Sequence, residues 1–155
     1  MGFLDSIDIS ASGLTAQRLR MDTIANNMAN VETTRVQNGQ GPYRRQVVVF
    51  EARKAQAGRH SFQDVLDSEE VKAKTIGTGV RVKEIRSITE DEAPFRRVYD
   101  PSNPDADEQG YVNYPNVNIV EEMINMISST RAYEANAKMI EASKSMAARA
   151  LDIGR

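Results

Sequence analysis

The stretch Leu4–Asn30, LDSIDISASGLTAQRLRMDTIANNMAN, decides the architecture. Leu4, Ile7, Ala11, Leu14, Arg18, Met21, Ala25 and Met28 recur at alternating spacings of three and four, and only Arg18 breaks the apolar line. A heptad seam sustained this long predicts a coiled-coil-like helix. Asp5 is placed to cap its start, with Asp8 in the first turn near the positive helix end. From Leu4 to Ala29 the helix would run about 39 Å at the α-helical rise. Gly13 lies inside it at a cost of about 1 kcal/mol against alanine, which implies a close helical neighbour or a kink. Asn26, Asn27 and Asn30 crowd the last turns. Their amides compete for backbone hydrogen bonds, so they mark either a helix end or a set of specific contacts.

The C-terminal stretch repeats the pattern. After Pro115, Asn118 and Glu121 have reciprocal capping spacing. A second seam follows: Ile119, Met123, Met126, Thr130, Tyr133, Ala137, Ile140, Lys144, Ala147 and Leu151. Gly154 reads as a stop signal, with Arg149 and Arg155 near the negative helix end.

A different kind of chain lies between. YRRQVVVFEA, residues 43–52, reads as a strand rich in β-branched residues, and GTGVRVKEIRSI, residues 77–88, reads as a second. Gly39, Gly41, Pro42, Gly77 and Gly79 punctuate it as turns. HSFQDVLDSEEVKAK, residues 60–74, reads as a short helix or a loop. Residues 90–115 hold four of the five prolines and read as extended with little regular structure. The expected fold is mainly α with a small β insert, the N- and C-terminal helices pairing as a coiled-coil-like unit. The expected division is 1–34 for the N-terminal helix, 35–115 for the insert and its extended loop, and 116–155 for the C-terminal helix.

Composition narrows the function classes. The net charge of −2 gives no general pull toward nucleic acid or anionic lipid. The arginine pairs Arg44-Arg45 and Arg96-Arg97 sit among acids and read as solvated surface. There is no cysteine, so disulfides and thiolate metal sites are excluded. No run of apolar residues is long enough for a membrane-spanning helix, and MGFLDSIDIS lacks the basic start and apolar core of a cleaved secretion signal. Asp105, Asp107, Gln109 and Gly110 occupy the opening positions of a calcium loop, but the position reserved for a bidentate glutamate holds Asn116. His60 is the only histidine and has no thiolate or imidazole companion for zinc. No G-x-S-x-G elbow or P-loop is present. Glu69-Glu70, Asp91-Glu92 and Glu121-Glu122 read as solvated faces or helix-start charges. The expectation is a non-enzyme with no metal and no cofactor. The six methionines beyond Met1 all fall in the two helices, as core packing or as a surface that adapts to unlike neighbours.

SASGLTAQRLRMDTIANNMANVETT resembles the N-terminal signature of bacterial flagellar rod and hook proteins, through Gln17, Asn26, Asn27, Ala29, Asn30 and Thr33. EEMINMISSTRAYEANAKMI is similar to the matching tail of that family, through Met126, Arg131, Tyr133 and Asn136. DPSNPDADEQGYVNYPNVN, residues 100–118, resembles a proximal-rod branch of it, and residues 50–75 are the least diagnostic part. The resemblance implies a structural subunit of the flagellar drive shaft that transmits torque. It implies export by the flagellar apparatus without cleavage, and assembly in the periplasmic basal body with other rod proteins and with copies of itself. It also implies that the terminal helices line a tube, with contacts through Leu14, Gln17, Met21, Asn26, Asn27, Met28, Asn30, Met123, Met126, Arg131, Tyr133, Asn136 and Ile140. Another axial protein of the rod and hook family is one alternative, and a soluble adaptor presenting a helical hairpin to one partner is the alternative from a different class. A hydrolase would need a carboxylate of raised pKa in a pocket, which nothing in the sequence places.

Overall fold

In the computed structural model, residues 3–36, 41–53 and 78–153 are described. Gly39, His60, the 60–74 segment, Glu69-Glu70, Gly77, Gly154 and Arg155 lie outside these residues, as does most of the 50–75 stretch.

Helix α1 spans Phe3–Ala29 and helix α2 spans Ile119–Ile153, 27 and 35 residues respectively. Between them come β1 (Gln46–Ala52), β2 (Val80–Ser87), β3 (Arg96–Tyr99) and β4 (Tyr111–Tyr114), which form two ribbons, β1 with β2 and β3 with β4. The first ribbon is closed at its ends by Arg53 N donating to Gly79 O and Ile88 N donating to Arg45 O, at 2.9 and 2.8 Å, so its strands run antiparallel. The second is an antiparallel hairpin with Val98 opposite Val112 and Tyr99 opposite Tyr111.

The chain divides into two compact units. The first takes its described residues from 3–16, 50–53, 78–83 and 133–153. Here Gly13 makes room for a neighbouring helix: a Cβ built on it would stand 2.8 Å from Asn136 Nδ2. α1 is not interrupted there, so close approach is the reason for the glycine. Ser12 serves both a helix and a strand. Its hydroxyl donates to Ile9 O at 2.7 Å and accepts Val80 N–H at 3.0 Å, seating the start of β2 on α1. Gly79, at φ +101°, turns the chain into that contact.

The second unit comprises 17–36, 41–49 and 84–132. Here Arg20 Nη2 donates to Asn125 Oδ1, Asn27 Nδ2 to Glu122 Oε2 and Thr130 Oγ1 to Met21 Sδ. Positions rise along α1 as they fall along α2, so the helices pair antiparallel.

The heptad spacing holds, but the most covered positions fall beside the expected seam in α1 and in the first half of α2. The buried residues of α1 are Ser10, Ala16, Thr23, Ile24 and Asn27, whereas on the expected line Ala11, Leu14, Met21 and Met28 are half-covered and Arg18 and Ala25 are exposed. The covered positions of α2 include Glu122, Asn125, Ser129, Ala132 and Asn136, each one residue before the expected seam, and then Ile140, Ser143 and Ala147, of which Ile140 and Ala147 lie on that seam. One residue is a rotation of about 100°. Small residues let the backbones approach, and buried hydroxyls are satisfied by their own helix: Ser10 donates to Ser6 O, Thr23 to Leu19 O and Ser129 to Asn125 O, at 2.9, 2.9 and 2.8 Å.

The expectation for residues 90–115 needs a second correction, because β3 and β4 form there. Their strands are short and mostly exposed, which hides the alternation, and only Val112 is fully buried. Asp5 lies in the first turn of a helix that begins at Phe3, rather than capping its start. Asn118 caps α2 by accepting Val120 N–H at 3.0 Å. Glu121 reaches Arg45 Nη1 at 3.5 Å.

Candidate subunit-contact surface

α1 ends in a carboxamide cluster. Asn30 Nδ2 donates to Asn26 O and Asn26 Oδ1 at 2.9 and 3.0 Å, adding a side-chain donor to a carbonyl that also accepts Asn30 N–H at 3.2 Å. Thr33 Oγ1 donates to Asn30 Oδ1 at 3.1 Å and fixes the amide from the other side. The chain then turns back, with Tyr43 N donating to Thr33 O at 3.0 Å.

Asn27 works differently. It is 1% exposed, and its amide makes four hydrogen bonds within the chain. Nδ2 donates to Gln46 O at 2.8 Å and Glu122 Oε2 at 3.0 Å, while Oδ1 accepts Gln46 N–H and Tyr43 O–H, both at 2.9 Å. The side chain therefore bonds the peptide of Gln46 as a neighbouring strand would, and starts β1. It has no donor or acceptor left for another molecule.

Glu122, also 1% exposed, is the second centre of this network. Its Oε1 accepts Arg45 Nε–H at 2.8 Å and pairs with Arg45 Nη2 at 2.6 Å. Arg45 N–H is accepted by Asn116 Oδ1, and Asn116 Nδ2 donates to Ala93 O, both at 3.0 Å. A buried carboxylate needs such a partner, since removing one member of a buried pair costs about 3–5 kcal/mol. Glu122 is thus a helix-start charge, as one of the two sequence readings had it, but an interior one, and Arg45 is its half-buried partner rather than a solvated charge. Burial, and after it the Glu122 carboxylate, raises the Tyr43 phenol above its ordinary 10.0.

The network holds the first turn of α2, and on the outer side of that turn the character reverses. Val120 is 64% exposed, and Ile124 and Ile127 share its face and its exposure, with Ile119 and Met123 beside them. These residues form a continuous apolar patch in water, since positions three and four apart are neighbours on a helix. Further along α2, Met139 and Met146 are also exposed.

The hairpin loop is a rigid polar device. Asp107 Oδ1 accepts Gln109 N–H and Tyr111 N–H at 2.9 and 2.8 Å, and Oδ2 accepts Arg97 Nη2–H at 3.0 Å. The Tyr111 amide, then the Gln109 amide and Arg97, outweigh desolvation and hold the Asp107 carboxyl below its ordinary value. Asp105 accepts Thr34 Oγ1–H at 2.7 Å and pairs with Arg35 at 3.2 Å. These carboxylates are already engaged, and among the described residues no cluster of three or more metal-ligating side chains is found. Arg96 and Arg97 lie over the Tyr114 and Tyr111 rings, at 5.2 and 4.8 Å from the centroids.

The thirteen residues expected at contacts fall into three groups. Asn26, Met123, Arg131 and Tyr133 are exposed, while Leu14, Gln17, Met21, Met28, Asn30, Met126, Asn136 and Ile140 are half-covered and Asn27 is interior. Gln17 Oε1 is buried without a hydrogen-bond partner. Val120, Ile124, Ile127, Met139 and Met146 were not among the thirteen. Their three- and four-residue spacing was legible, but it reads equally well as core. Among the described residues no helix is long and apolar enough to cross a membrane.

Two long helices pairing through a small, polar seam, with large apolar groups left outside, define a helical subunit built for contact with others. Comparison with known proteins gives that class its place. Residues 7–37 match the family described as "Flagella basal body rod protein", and residues 108–153 match "Flagellar basal body rod FlgEFG protein C-terminal". The chain is 44% identical to the flagellar basal-body rod protein FlgC of Bacillus subtilis over 153 residues, 97% of each chain. It is 48% identical to FlgC of Borreliella burgdorferi over 159 aligned residues, 99% of this chain and 98% of the other. Identity to FlgC of Salmonella typhimurium is 35% over the whole of both chains. The chain belongs to the FlgC family of flagellar basal-body rod proteins, structural subunits of the bacterial flagellar basal body.

Proposed function

We propose that this chain is a non-enzymatic proximal-rod subunit that helps transmit torque, and that the outer face of α2 around Val120, Ile124 and Ile127 is a principal contact with copies of itself and other rod proteins. The observation that carries the reading is the reversal across the first turns of α2, with Glu122 and Ser129 inside and Val120 and Ile124 in water. Fully burying each such side chain against a neighbour yields about 1.5–3 kcal/mol, and repetition around a shaft gives stiffness without any single strong bond. In this reading residues 1–34 and 116–155 form the helical core of contacts and residues 35–115 the insert. Of the expected set, Met123 and Arg131 lie on α2 within reach of this face, and Asn26 and Tyr133 are exposed contact candidates in their own right. The chain reaches the periplasmic basal body through the flagellar export apparatus without a cleaved signal.

The test replaces Ile124 and Ile127 by aspartate in cells that rely on this chain. Basal bodies are then imaged, and the purified variant is checked for native helix content. Folded subunit with no rod supports the contact. Normal rods and swimming with both aspartates in place would overturn it.

A further inference from the structure

A cavity of about 420 Å³ lies beside the β3–β4 hairpin, within the second unit, lined by Glu32, Thr34, Arg96, Val98, Asn103 and Tyr114. Small-molecule sites occur at this size. One wall is the segment that follows α1, with Glu32 and Thr34, and the other is the hairpin. Arg96 and Val98 alternate onto one face of β3, and Tyr114 stands opposite Arg96 in the register. Arg96 rests over the Tyr114 ring, and among the described residues no carboxylate pairs with it. Glu32 likewise pairs with no cation among them. An arginine and a glutamate thus line one cavity without forming an ion pair with each other.

The other polar groups sort by wall. Thr34 Oγ1–H already donates to Asp105 Oδ2 at 2.7 Å, so the Thr34 oxygen is left to accept. Asn103 Oδ1 already accepts Asp105 N–H at 3.0 Å, so Asn103 Nδ2 is left to donate. The hairpin wall therefore offers a planar cation and an amide donor. The 32–34 wall offers a carboxylate and a hydroxyl acceptor. A simple anion would use only the first half, with Glu32 opposing it.

We infer that this cavity binds a zwitterion of the amino-acid or short-peptide class, its carboxylate on Arg96 and Asn103 and its ammonium on Glu32 and Thr34. The guanidinium fork matches a carboxylate in two-point contact, and stacking on the Tyr114 ring holds its plane. Val98, 37% exposed, gives the aliphatic part between the two charges an apolar contact. The site shares no residue with the contact face on α2, and its test does not depend on assembly.

The experiment titrates the purified full-length chain with alanylalanine, with its N-acetyl form, which lacks the ammonium, and with its C-terminal amide, which lacks the carboxylate. Acetate and inorganic phosphate serve as simple anions. Calorimetry reads the binding, and helix content is recorded for every variant. Expected is one site per chain with a Kd of about 1 mM or tighter for the free dipeptide. Each blocked form and each simple anion should bind at least about tenfold more weakly. Arg96→Gln should abolish the preference for a free carboxylate, and Glu32→Gln the preference for a free ammonium. Both side chains are exposed, so neither change should alter helix content. Lys83→Gln, in the first unit, should bind as the unaltered chain does. Three results would overturn the inference: no binding of the dipeptide up to about 10 mM, acetate or phosphate binding as tightly as the dipeptide, or unchanged end preferences in the folded Arg96 and Glu32 variants.

Discussion

The two sides of α2 invert the usual arrangement of a helix in a folded protein. The side the chain covers carries Glu122, Ser129 and Ser143, and the side it leaves in water carries Val120, Ile124, Ile127 and Met146. A helix in a self-sufficient domain turns its apolar stripe inward. Here the inner line specifies geometry. Small residues permit close approach, and a few fully bonded polar groups define one register. The outer line is left for burial against something else. Under the proposed contact role, specificity within the chain and adhesion beyond it fall to different faces of one helix.

The sharpest way to break this comparison is to damage the inner line. Arg45→Met leaves the Glu122 carboxylate buried without its cation and is expected to cost about 3–5 kcal/mol, read as a lowered urea midpoint. A cost below about 1 kcal/mol would mean that the pair is not interior in solution. Gly13→Ala comes next. Its new Cβ would meet Asn136 Nδ2 at 2.8 Å. The expected loss is about 1–2 kcal/mol. In an Asn136→Ala background the sign should reverse, because alanine at position 13 then gains up to about 1 kcal/mol of helix propensity with nothing to strike.

A smaller effect belongs to Tyr43. Its phenol is raised above 10.0, so the folded chain holds that proton more tightly than the unfolded one. The contribution is fully present below the ordinary value and is lost as pH climbs from there through the raised value. Absorbance at alkaline pH should show one of the five tyrosines titrating late. The Tyr43→Phe variant should lose both that late step and the matching decline in stability. Smallest of all for the isolated chain is the outer line. Replacing Val120, Ile124 and Ile127 by serine should move monomer stability by no more than about 0.5 kcal/mol per residue, as for ordinary surface changes. The same variant should fail to associate. If it instead unfolds, the patch is core and the comparison collapses.

Helix existence, approximate ends and the three-four period were legible in the sequence, as were β1 and β2, because each rests on local spacing and propensity. The exposed hairpin of β3 and β4 was not, since neither strand alternates clearly between apolar and polar. The FlgC-like ends were legible through Gln17, Asn27 and the 100–118 loop. The role of Asn27 as the partner of Gln46 and Glu122 was not, because residues 19 and 95 positions apart meet only in the folded chain.

What the sequence by itself determined is that two long helices bracket a β-containing insert and that each carries more apolar surface on one heptad line than on its neighbours. Only the tertiary structure decided which line faces inward. Apolar count favoured the large side chains, whereas the folded chain covers Gly13, Ser129 and Ser143, which allow the backbones to approach, and Asn27 and Glu122, which complete their hydrogen bonds. Distance of closest approach and satisfaction of buried polar groups are properties of two surfaces together, and no pattern along a single chain contains them.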